Sequence, residues 1–349
     1  TETLESGQTH VVIIEVPPID EGSRSTNVGR SLKLAFFKMV LKRHPDKLYQ
    51  LAWVEYLNVQ DKTGQEKIDR HRDSDEVIEK VAQAHKVLLL LHGIVGETED
   101  MAIAVKDLAT EKGYDLVLSF DYENLNSSID KDISWSLKDQ LERVGFKADD
   151  GKELHILAQG MGCLVARWMV ERRGGNAFVD RMILVGPPNA GSILGTLEAY
   201  RRLTTVVLGV AVNVLLPLVG WASGLFKNIQ KAMKQGQKLT TTLGEMHEGS
   251  AFIRDLNDSD DPGIPYDIIA GDVRQYESID GSNFSTYQEK LATKLGTFVN
   301  GNSAHDLIVD YDSMKRTGKN SQVTITKVAC HHLNYFQEKT SLEAIHRLL

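Results

Sequence analysis

Along the chain, apolar runs bounded by turn residues follow one another with helix-period patterns between them. That alternation predicts a parallel sheet with crossover helices. The candidate strands are His10–Val16, Leu48–Tyr56, Val87–Leu91, Leu116–Phe120, Leu154–Ala158, Met182–Val185, Tyr266–Ala270 and Val323–Val328. Helical spacing falls on Ser31–Lys42, Asp75–His85, Asp100–Glu111, Ile129–Val144, Met161–Arg173 and Leu342–Leu349. About eight strands flanked by helices is the α/β architecture these patterns define.

One stretch interrupts the rhythm. Leu203–Phe226 holds no charged residue and approaches the roughly 20 apolar residues that span a bilayer. Asn213, Pro217 and three glycines break it, and polar helical segments flank it, which disfavours a spanning helix. An apolar cap over a binding groove is the reading we carry forward, with a buried helical pair and membrane insertion as its rivals.

Composition narrows the class without naming a function. Hydrophobic residues make up 42% of the 349-residue chain and charged residues 25%, the balance of an ordinary globular protein. A net charge of −8 spread along the chain repels phosphate backbones, so nucleic acid is not an expected partner. With two cysteines, Cys163 and Cys330, there is no disulfide framework, and a reducing cytoplasm is the expected setting. The first residues lack the basic-then-apolar layout of a secretory signal, and they begin without methionine, as a piece of a longer protein would.

The strongest chemical signal is Leu154-His-Ile-Leu-Ala-Gln-Gly-Met-Gly-Cys-Leu-Val-Ala-Arg167. An apolar strand runs into a tight turn of small residues and directly into a helix. Such a turn exposes its central side chain at the helix N-terminus, where backbone amides favour negative charge. The segment resembles the nucleophile elbow of lipase-like α/β hydrolases, Ala/Gly-His-Ser-Met-Gly-Gly-Leu-Val-Ala-Arg. In that register Gln159 replaces histidine, Gly160 replaces the nucleophilic serine and Cys163 replaces the second glycine.

Other matches follow in the order that fold requires. Val87-Leu-Leu-Leu-Leu-His-Gly-Ile94 is similar to the strand and His-Gly turn that supply one oxyanion amide, here Ile94, and the second amide falls to Met161. Phe120-Asp-Tyr-Glu-Asn-Leu125 and Leu184-Val-Gly-Pro-Pro-Asn-Ala-Gly-Ser192 resemble the loops after the fourth and sixth strands. His305-Asp-Leu-Ile-Val-Asp-Tyr-Asp-Ser313 resembles the loop of the acid and assigns it to Asp306. Val328-Ala-Cys-His-His-Leu-Asn-Tyr-Phe336 resembles a His-x-x-Tyr-Phe turn and favours His332 over His331. The resemblance spans about Val87 to Phe336 and implies an α/β-hydrolase domain of the lipase/esterase branch with the order nucleophile, acid, histidine. It also makes His92, Gly93, Tyr122 and Gln159 candidate substrate-binding residues.

Plainer readings compete for several of these residues. A dinucleotide fold would need a third glycine near Val165, and the chain has none there. Cys163 lies three residues past the elbow, where its side chain turns into packing, so a buried small residue is expected. Asp310 and Asp312 rival Asp306 but sit out of the motif register.

Together these readings divide the chain into a lead-in (residues 1–86), a core with oxyanion turn and elbow (87–192), an apolar cap (193–248) and a second core portion carrying acid and histidine (249–349). The expected substrate is an acyl, most naturally lipid, ester, with no metal or organic cofactor. The cap would bring peripheral membrane contact or a regulatory protein partner. Gly160 removes the attacking oxygen, so the chain as written is expected to be nearly inert. Two explanations stand: an inactivating substitution in a serine hydrolase, or a pseudoenzyme that binds a lipid or protein in its old pocket. The retained Asp306, His332 and oxyanion turn favour the first.

Overall fold

The computed structural model describes residues 49–60, 66–93, 98–122, 127–192, 241–278, 303–332 and 334–349. The predicted strand His10–Val16, the helix Ser31–Lys42, Ile94 and the apolar run Leu203–Phe226 lie outside these residues.

Eight strands form one sheet in the order β2-β1-β4-β3-β5-β6-β7-β8. They are β1 (Gln50–Gln60), β2 (Glu66–His71), β3 (Lys86–Leu91), β4 (Leu116–Asp121), β5 (Glu153–Gln159), β6 (Arg181–Val185), β7 (Tyr266–Gly271) and β8 (Val323–Val328). β1 runs antiparallel to β2 and β4, and every other pairing is parallel. The central strands are buried on both faces, which is why β3 reads Lys-Val-Leu-Leu-Leu-Leu without alternation.

Helices cross over between the parallel strands: α1 (Ser74–Gln83), α2 (Thr98–Glu111), α3 (Ser134–Arg143) and α4 (Met161–Arg173). The Asp73 carboxylate accepts from the amides of Asp75 and Glu76 and so starts α1, one residue before the predicted boundary. A wider turn, Ile129–Ile133, leads into α3, so the predicted single helix Ile129–Val144 is two elements. Shorter helices α5 (Thr241–Glu245), α6 (Ala251–Asn257) and α7 (Tyr311–Met314) precede α8 (Lys339–Leu348). β2 went unread because Glu-Lys-Ile-Asp-Arg-His carries charge at most positions, as an edge strand does.

Two apolar layers sandwich the sheet. One face packs against α1, α3 and α4 through Val77, Leu137, Leu141, Leu164 and Val165; the other packs against α2 and α8 through Met101, Val105, Ala344 and Ile345.

Ser192, Met246 and His247 meet at one place on the core. The Ser192 amide donates to the Met246 carbonyl at 3.0 Å, and Ser192 bridges His247. Gly191 packs so tightly that a Cβ there would stand 2.6 Å from the Glu248 backbone. Ser313 accepts from the Ala190 amide at 3.0 Å and donates to the Gly191 carbonyl at 2.6 Å. Glu245 accepts from Ser128 Oγ at 2.7 Å and from the Ile129 amide at 2.6 Å, fixing α5 to the core.

Candidate active site

β5 ends at Gln159 and α4 begins at Met161, with Gly160 as the N-cap at φ 52° and ψ −119°. L side chains rarely adopt that backbone; glycine holds it without penalty. Gly162 is needed for a different reason. A Cβ there would lie 2.6 Å from the His92 carbonyl oxygen and 2.7 Å from that of Leu91, so the first turn of α4 can rest on the end of β3. Met161 is the first helical residue, a position whose amide has no acceptor within the helix.

A side chain at position 160 would face His332. The Cβ of such a residue would stand 2.9 Å from His332 Nε2 and 3.6 Å from the Gly93 Cα. The opposite ring nitrogen, Nδ1, is 2.7 Å from Asp306 Oδ2. His332 and Asp306 are both buried. The His332 amide donates to the Asp306 carbonyl at 2.8 Å, tying the two loops together, and the Gln159 side chain donates from Nε2 to the His332 carbonyl at 3.0 Å, tying the second of them to β5.

The Asp306 carboxylate is fully engaged. Oδ1 accepts from the amides of Ile308 at 3.1 Å and Val309 at 2.8 Å, and Oδ2 accepts from Tyr335 Oη at 2.9 Å as well as from His332. The turn that presents it contains Leu307 at φ 82°, a strained conformation for a leucine. Of the competing residues, Asp312 is exposed and pairs with Lys315 at 2.6 Å, and the carboxyl of Asp310 is pushed up by burial and by Asp306. His331 is held near a pKa of about 4, chiefly by burial and in part by the neighbouring His332.

The other candidates sit around this centre. His92 and Tyr122 are fully buried and stacked on each other with ring centroids 4.2 Å apart. His92 Nδ1 donates to the Gly93 carbonyl at 2.7 Å, and Tyr122 Oη donates to the His92 carbonyl. Cys163 is buried beneath the elbow, its thiol 3.2 Å from the Ala158 carbonyl, and burial pushes its pKa up. Among the described residues no group of three or more His, Cys, Asp or Glu side chains could hold a metal ion, and no helix is long and apolar enough to cross a membrane.

Sequence reasoning gave no role to Tyr335, Gly186 or Gly271. A Cβ at Gly186 would lie 2.7 Å from the Tyr335 ring and 3.0 Å from Asp306 Oδ2; one at Gly271 would lie 2.7 Å from Tyr335 Oη. The Tyr in the His-x-x-Tyr-Phe turn was the available signal.

Sheet order, strand directions and the strand-turn-helix at Gly160 define an α/β-hydrolase fold. The lipase BlEst2 of Bacillus licheniformis in its propeptide form superposes with a TM-score of 0.51 at 13% identity, over 86% of this chain and 53% of that one. Its mature form gives a TM-score of 0.49 at 14% identity, over 76% and 92% of the two chains. Phospholipase PlaB from Legionella pneumophila gives 0.40 at 16% identity, over 66% and 46%. No curated protein matches by sequence. The chain belongs to the family described as a domain of unknown function, DUF7379, which matches residues 50–349.

Proposed function

We propose that this domain is built for serine-type hydrolysis of acyl esters, with position 160 as the nucleophile site, His332 as general base and Asp306 as the acid that orients it. The observation that carries the reading is the aim of His332: one nitrogen on Asp306 at 2.7 Å, the other on the space a residue-160 side chain would occupy. A serine oxygen there would pass its proton to Nε2 and be stabilised after attack by the amides of Met161 and Ile94. With glycine the attacking oxygen is missing, and the chain as written is inactive in this reading.

Lipid esters are the proposed substrates. The uncharged run Leu203–Phe226 supports this, because a long acyl chain gains about 0.8 kcal/mol for each methylene it buries. Residues 193–248 form the cap in this reading, set between core portions 87–192 and 249–349, and give the contact with a membrane surface or a regulatory partner.

The test is Gly160→Ser. The variant should hydrolyse acyl esters and be labelled by serine-directed phosphonate probes. A folded Gly160→Ser protein that resists labelling would leave the pseudoenzyme as the better account. One observation favours that second reading: His332 Nε2 stands closer to the residue-160 Cβ position than side chains normally approach, so the imidazole has taken room that a serine would need.

A further inference from the structure

Tyr335 is fully buried and its hydroxyl joins two distant parts of the chain. It accepts a hydrogen bond from the Gly271 amide at 2.8 Å. An amide N–H can only donate, so the single phenolic proton is left for Asp306 Oδ2, 2.9 Å away. Burial and the Asp306 charge push the phenol well above the ordinary tyrosine range, which keeps that proton in place at neutral pH. Gly186 and Gly271 allow the phenol to press this close.

The same oxygen receives His332 Nδ1 at 2.7 Å. A carboxylate oxygen shared by two donors stabilises each less than it would stabilise one alone. The other ionisable groups near the pair are Cys330 and His331 after β8, His305 and Asp310 on the loop of Asp306, and Asp272 after β7. β5, α4 and the His-Gly turn bring Gln159, Gly160 and the hydrogen-bonded His92 to the site. Tyr335 is therefore the group that competes directly with His332 for its partner.

We propose that Tyr335 is a positioning residue that holds the Asp306 carboxylate and, by sharing Oδ2, lowers the proton affinity of His332, keeping the imidazole neutral and available as a base. The proposal rests on the assignment of Asp306 and His332 as the acid and base, but its test needs no catalysis. Imidazole NMR titration of the chain as it stands should give a His332 pKa that rises by roughly half a unit to one unit in Tyr335→Phe. An unchanged or lowered value in a folded variant overturns the proposal. If Tyr335→Phe does not fold, 3-fluorotyrosine at position 335 decides the matter: its more acidic phenol donates more strongly and should lower the His332 pKa, whereas no shift overturns the idea. In Gly160→Ser the acid limb of the kcat/KM profile should move upward with Tyr335→Phe by the same amount. If Gly160→Ser is inactive, the ester-hydrolysis reading falls while the NMR titration still decides the role of Tyr335.

Discussion

Gly160 combines two costs that a serine would reintroduce. Its φ of 52° is a conformation that strains any L side chain by about 1–3 kcal/mol, and the 2.9 Å approach of His332 Nε2 would have to widen. Gly160→Ser should therefore gain activity while losing stability, seen as a melting temperature lower than that of the present chain. In that background His332→Ala should lower kcat by about six orders of magnitude and Asp306→Ala by about four. His331→Ala should change it little, because the Asp306 oxygens are bonded to His332, Tyr335 and the amides of Ile308 and Val309, while the His331 backbone amide donates to Asn334 Oδ1 at 2.8 Å. The pairing of Asp306 with His332 was legible in the sequence because each sits inside a local motif. Tyr335 was not, since its partners lie 29 and 64 positions away and only folding brings them together.

Among the elements, α4 does more than present the elbow. Arg167, with no exposed surface, donates from Nε to Glu171 Oε1 at 2.7 Å and from Nη1 to Asn189 Oδ1 at 3.1 Å, Asn257 Oδ1 at 3.3 Å and the Arg316 carbonyl at 3.4 Å. One guanidinium thus ties the helix to the loop after β6, to α6 and to the segment before β8. Arg167→Met would strand the buried Glu171 carboxylate, and denaturant unfolding should show a loss of about 3–5 kcal/mol. The elements read best from sequence were those whose burial is uniform, such as β3, β5 and α4. α5 and α6 were missed because five and seven residues give too little helical periodicity to recognise.

Among the described residues, three histidines whose pKa is lowered by burial, His155, His305 and His331, make stability depend on pH. His155, at the opposite end of the sheet from Gly160, is depressed to about 4 by burial and by Lys86 and Arg181, and His331 is depressed to about 4 by burial. Their neutral forms are favoured in the folded state, so the unfolded chain binds more protons between about pH 6.5 and 4. Their contribution is complete above pH 6.5 and is lost as pH falls toward 4. His155→Gln should flatten that part of the curve of unfolding free energy against pH; a slope equal to that of the unaltered chain would remove His155 as a source. Tyr114 Oη, 2.6 Å from His155 Nδ1, supplies the hydrogen bond that the neutral ring accepts.

The joining of Ser192 to Met246 and His247 bears on how much chain this fold can carry. Once those backbone groups are paired, whatever lies between them is a closed loop seen from the sheet, and doubling the length of a flexible loop costs only about 0.6 kcal/mol. Length inserted into a flexible loop at that junction is thus nearly free of thermodynamic penalty. The same scaffold can accept longer or different sequences at that junction without any change to the residues that build its sheet.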